Sequence, residues 1–178
     1  MMGVDEKTDF LEFAPVTADG LRRSGWTVVD VSAGLTLAEL RRRGAPFRGT
    51  RYFRDFAPGV TETPTVARSV AYRPEILPGS LNRPFDECED LVAELRASIP
   101  DGCRAVIGTA AECVEIIWHH ARATGDFPLA SGYTWTSDAC EDGHLVVGVF
   151  GREHPIVVGP HPRSGRGIGV MALVVPLD

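Results

Sequence analysis

Lysine is almost missing from this chain: Lys7 is the only one among eighteen basic residues, and arginine supplies the rest. With abundant Ala, Gly, Val and Pro, that skew reads as the coding bias of a GC-rich bacterial host and carries no mechanism. Positive charge is not in excess either. Twenty-four acids against eighteen bases give a formal charge of −6, which disfavours bulk attraction to nucleic acid or to an anionic membrane. No apolar run approaches the roughly 18 residues of a membrane-spanning helix. The acidic start, Met1 to Asp9, has no hydrophobic core of a secretory signal, so the expected location is cytoplasmic.

Signature motifs are also missing. Cys88, Cys103, Cys113 and Cys140 stand far apart with no C-x-x-C, which argues against a zinc ribbon or finger and for inert buried thiols. Ser137, Ser164, His154 and His161 lack the G-x-S-x-G turn of a serine hydrolase. The acids of 137–143 lack the order of a calcium loop, and Asp142-Gly143 reads as a hairpin turn. No metal and no cofactor is expected.

What is present suits one globular domain over residues 1–178, large enough to bury roughly 70% of its unfolded surface. Residues 1–16 show no strong periodicity and are read as partly disordered. A helical turn at 19–24 leads into a strand at 26–31. Thr36 and Glu39 frame a short helix ended by Gly44. Residues 45–64 read as loop, 65–73 as a strand and 74–84 as a Pro/Gly connection.

The residues Phe85, Cys88, Leu91, Val92, Leu95 and Ile99 recur at helical spacing behind an acidic first turn, predicting a helix over 84–98. A strand at 104–107 precedes a second helix over 109–124, capped by Thr109 with Glu112 and stopped by Gly125. From 131 to 176, β-rich runs alternate with turns, predicting an antiparallel meander. The expected class is α+β: a mainly antiparallel sheet, rich in the C-terminal half, packed against the two principal helices.

Four constellations could carry chemistry. The loop 160–167 gathers His161, Arg163, Ser164 and Arg166 among glycines, and guanidinium forks match carboxylate or phosphate oxygens. Tyr133 and Trp135 alternate on one side of a strand and could wall a pocket beside that loop. On the helix 109–124, Glu112, Glu115, His119 and Arg122 share a face; Glu115 and His119 could act as an acid–base pair, against an ordinary solvated, salt-paired face. His120 falls near the apolar stripe and reads as a hydrogen-bonded border histidine. The segment Arg41 to Arg54 holds six arginines, no acid and interleaved aromatics. That composition suits nucleic acid or an acidic protein, yet the acids of 86–94 could neutralise it within the molecule, so nucleic acid is not favoured.

The leading expectation is therefore a domain that binds a small anionic metabolite through His161, Arg163, Ser164 and Arg166, walled by Tyr133 and Trp135. An enzyme using Glu115 and His119 in the same pocket is the second expectation, and an interaction module docking through Arg41–Arg54 is the third. Whether the chain is an enzyme, and in what oligomeric state it works, the sequence leaves open.

Overall fold

Alternating and helical hydrophobic patterns resolve into two sheets with a helix between them. The computed structural model describes residues 10–49, 62–129, 132–141, 143–149, 156–162 and 166–177. Along the chain come α1 (Pro15–Arg23), β1 (Thr27–Val31), α2 (Leu37–Arg42), β2 (Phe47–Gly49), β3 (Arg68–Tyr72) and α3 (Phe85–Glu94), which tightens into a 3-10 turn at Leu95–Ala97. Then follow β4 (Cys103–Ile107), α4 (Ala110–Thr124), β5 (Tyr133–Cys140), β6 (Gly143–Val149), β7 (Ile156–Pro162), β8 (Ile168–Gly169) and β9 (Ala172–Pro176).

The first sheet has the order β1-β3-β9-β4 and is antiparallel throughout. The second has the order β2-β7-β6-β5-β8; its centre is antiparallel, while the short edge strands β2 and β8 pair in parallel. The α+β class expected from the sequence is the one observed.

Helix α4 is the pivot. Its residues Cys113, Val114, Ile116 and Ile117 share one core with Val70, Leu173 and Val175 of the first sheet and with Leu145, Val147, Ile156 and Val158 of the second. A helix apolar on both flanks is buried on both flanks, so α4 lies between the sheets. The outer face of the first sheet packs on α1 through Leu21, Trp26, Ala71 and Val174. Helix α3 covers the other face of the second sheet through Phe85, Cys88 and Val92 against Trp135, Val146 and Ile168.

Three readings change. Residues 10–16 are ordered: Leu11 bridges Arg68 in parallel, and Pro15 opens α1 at a position where its missing N–H costs nothing. Residues 1–9 lie outside the described residues. The loop expected over 45–64 contains β2, whose three residues pair with β7. The meander expected over 131–176 ends at β7, because its last β-rich stretch splits into β8 and β9, with β8 parallel to β5 and β9 in the first sheet. The split has a local cause. The amides of Val170 and Met171 are captured by side chains, donating to Ser80 Oγ at 3.0 Å and Thr134 Oγ1 at 2.7 Å. The chain leaves the second sheet there and enters the centre of the first.

Candidate functional site

The N-terminus of α4 is held by a capping box. Thr109 Oγ1 accepts from the Glu112 amide, and the Glu112 carboxylate accepts from the Thr109 amide. The same carboxylate meets Arg68 of β3 at 2.5 Å, and the two side chains are only 2% and 14% exposed. Glu112 therefore departs from the solvated face expected for it, because the first turn of α4 lies between β3, which supplies Arg68, and β5, which supplies Asp138. Asp138 Oδ2 accepts from the Ala110 amide at 2.6 Å. Burial pushes the Asp138 carboxyl above its usual range, against that hydrogen bond and nearby His144; Glu112 adds to the rise.

Neither Arg68 nor Asp138 stood out in the sequence. For Asp138 a signal existed, since Thr134, Thr136 and Asp138 recur at period two and all three are buried. Nothing local points to Arg68, whose partner is far along the chain.

One turn further on, α4 presents a half-open shoulder. Glu115 is 17% exposed, with Arg122 at 3.7 Å, and the Arg122 guanidinium lies 4.0 Å above the Trp118 ring. Burial raises the Glu115 carboxyl, opposed by the charges of Arg122, His119 and Arg43. The sequence-expected pair Glu115 and His119 is thus brought within electrostatic reach. His119 Nδ1 is buried with no hydrogen-bond partner among the described residues. Its neighbour His120 turns the other way, its Nδ1 sharing a proton with Tyr72 Oη at 2.9 Å, as a border histidine should. Burial lowers the proton affinity of His120, Asp126 opposes this, and His119 adds to it.

The aromatic strand faces away from that shoulder. Trp135 is fully buried in the layer under α3, edge-on to Phe85 at 6.1 Å and to His161 at 5.9 Å, and its Nε1 donates to the Arg83 carbonyl at 3.2 Å. His144 stacks on Phe85 at 3.5 Å and is the cross-strand partner of His161. Tyr133 is half-buried and lies over Gly148, where a Cβ would stand 2.3 Å from its ring. Val146, beside Trp135, belongs to this layer, whereas Leu145 and Val147 belong to the core around α4. Successive strand residues point to opposite faces. Glu115 and His119 therefore stand across the second sheet from Tyr133 and Trp135, and among the described residues the two pairs do not line one pocket.

The loop residues divide as well. His161 lies within β7, in register with His144, which pairs with Ala139; Ile168, just after Arg166, pairs with Tyr133. Because β5 bulges between Trp135 and Ala139, that span is best measured on β6, where His144 to Gly148 is about 13 Å of strand. The two ends of the loop thus lie on either side of β5 and are displaced along it, with the His161 ring against Trp135 and Arg166 exposed near Tyr133. The Gly167 amide donates to Asn82 Oδ1 at 2.7 Å. Arg163, Ser164 and His154 lie outside the described residues.

Of the basic segment, Arg42 and Arg43 both grip Glu39 at 2.7 Å, drawing its carboxyl down to about 2. Their partner is thus an acid of their own helix and not of 86–94, where Glu87 pairs with Arg83. Residues 50–54 lie outside the described residues. Cys88, Cys103 and Cys113 are buried thiols and Cys140 is half-buried, and none of the four is in a disulfide. Among the described residues no three His, Cys, Asp or Glu side chains are placed to hold a metal ion, and no helix is long and apolar enough to cross a membrane. No protein-family model, curated protein or solved structure matches the chain.

Proposed function

We propose that the chain binds a small anionic molecule on the shoulder of α4, with Glu115 and His119 as a proton-exchanging pair and Arg122 as the anion's counter-charge. The observation that carries this reading is His119 Nδ1, a buried polar atom without a hydrogen-bond partner among the described residues, one helical turn from a carboxyl that burial makes reluctant to ionise. An orphaned buried polar atom in a native structure calls for an explanation, and an exchangeable ligand is one. A carboxyl of raised proton affinity that shares a helix face with an imidazole is a combination general acid–base exchange can use. Arg122 supports the anionic preference: it is stacked on Trp118 and half-exposed, so its planar fork is pre-oriented. Four thiols outside any disulfide suit a cytoplasmic, reducing setting.

The test is histidine-selective NMR of the wild-type chain during addition of inorganic phosphate and then of small carboxylates. A saturable shift of the His119 resonance that disappears in Arg122→Ala supports the site. No saturable response up to roughly 10 mM of any probe refutes it.

A second reading rests on the contact between His161 and Trp135. Here the anion meets the loop after β7, gripped by Arg163 and Arg166 with His161 and Ser164 donating hydrogen bonds and Tyr133 as a wall. The double variant Arg163→Ala/Arg166→Ala separates the two: it abolishes binding under this reading and leaves the His119 response intact under the first.

A further inference from the structure

The outer edge of the first sheet is unoccupied by any described strand. β4 is the last strand in the order β1-β3-β9-β4, and its register with β9 pairs Cys103 with Pro176 through to Ile107 with Ala172. The Leu177 amide donates to the Gly102 carbonyl at 2.8 Å. In an antiparallel ladder that bond fixes the alternation: Arg104 and Val106 exchange hydrogen bonds with β9, while Cys103, Ala105 and Ile107 turn their N–H and C=O groups outward. Arg96 caps the outward carbonyl of Cys103. The outward groups of Ala105 and Ile107 have no such cap among the described residues.

Those two residues line a groove. Its walls are Ala105, Val106 and Ile107 of β4 and Glu89, Val92 and Ala93 of α3, and Ser137 of β5 closes one end. The Ser137 amide donates to the Gly108 carbonyl at 2.9 Å, so β5 bounds the groove immediately beyond the strand. The floor is apolar and half-buried, with free main-chain donors and acceptors along it, which is what an added β-strand requires.

Charge selects the occupant. Helix α3 exposes Asp86, Glu89 and Asp90 at i, i+3 and i+4, none in an ion pair among the described residues, and the base of the following 3-10 turn, Arg96, is turned to the Cys103 carbonyl and Asp101. A second copy of this chain, pairing β4 to β4, would bring two such acidic helices together. A strand bearing arginine or lysine would meet them favourably. We infer that the β4 edge is a docking site for an extended, basic peptide segment of a partner protein, which adds as a further strand beside β4 under the acidic face of α3.

The test follows backbone amide exchange of the full chain by NMR with a short peptide alternating arginine and valine, and with the same peptide carrying glutamate for arginine. The arginine peptide should slow exchange at Ala105 and Ile107 by about tenfold or more at saturation, leaving Arg104 and Val106, already bonded to β9, as internal controls. Ala105→Pro removes one outward N–H without removing a bond to β9 and should abolish the effect. Glu89→Arg changes only an exposed charge and should weaken binding roughly two- to fivefold. The proposal is overturned by unchanged exchange at roughly 1 mM arginine peptide, or by equal slowing with the glutamate peptide. Slowing that grows with protein concentration alone overturns it too, since a second copy would then hold the edge.

Discussion

Replacing Glu112 by glutamine separates two jobs that one side chain performs. Glutamine preserves the capping box, because its amide oxygen still accepts from the Thr109 amide. It removes the negative charge facing Arg68, whose side chain is only 14% exposed and whose Nε has no hydrogen-bond partner among the described residues. Leaving one member of a buried ion pair uncompensated typically costs 3–5 kcal/mol. Glutamine has a single acceptor oxygen, and with that on the Thr109 amide its side-chain NH2 faces the guanidinium, which places Glu112→Gln within that range, at about 3–5 kcal/mol. Glu112→Ala also loses the cap, adding about 1 kcal/mol.

For a chain of this size each kcal/mol moves the melting temperature by about 2–4 °C, so Glu112→Gln should melt roughly 10 °C lower. Urea denaturation measures the free energies directly, and a cycle with Arg68→Met should give a coupling of about 2 kcal/mol or more. A loss below about 1 kcal/mol for Glu112→Gln, the value of an exposed pair, would refute the reasoning. So would additivity in the cycle.

Two further outcomes follow from packing and protonation. Gly148→Ala places a Cβ 2.3 Å from the Tyr133 ring; the forced displacement should cost about 1–3 kcal/mol in denaturant titration, and adding Tyr133→Ala should recover part of it. For Asp138 the folded carboxyl has a raised proton affinity, so the native state binds the proton more tightly than the unfolded chain. Its effect on stability is therefore favourable at acid pH and lost as pH rises from the ordinary carboxylate range through the raised value. Asp138→Asn keeps an acceptor for the Ala110 amide without the titration. Melting temperatures of variant and wild type should diverge in the variant's favour as pH rises through that window, and parallel curves would count against the assignment.

The elements that could be read in advance are those whose stabilisation is local. The helix over 109–124 announced itself through Thr109, Glu112 and Gly125, and all three take those roles, Gly125 adopting the left-handed conformation with φ of 83°. The helix at the acidic run 86–90 was equally plain. What stayed hidden depends on partners distant in sequence. Phe47–Gly49 is a strand only because β7 is beside it. The break at Val170 and Met171 needs hydroxyls from Ser80 and Thr134 to take two amides out of the ladder. The candidate site shows the same division. Glu115 and His119 share a face of α4 because helical spacing puts them there, while the face of Glu112 became interior through Arg68 and Asp138, on two different strands. Tyr133 and Trp135 share a side as alternation requires, and the register that sends His161 and Arg166 apart was not legible locally.

The position of β9 bears on how the chain acquires its shape. This strand follows every other described element in the sequence yet lies between β3 and β4, so the first sheet has no continuous middle until residues 172–176 arrive. During synthesis from the N-terminal end, β1, β3 and β4 emerge well before the strand that unites them, and α4 waits with one flank of its core missing Leu173 and Val175. Such long-range closure slows folding and prolongs exposure of apolar surface. A nascent chain arrested just short of Ala172 should be protease-sensitive along its whole length, and release of those few residues should convert it to the resistant form in a single step.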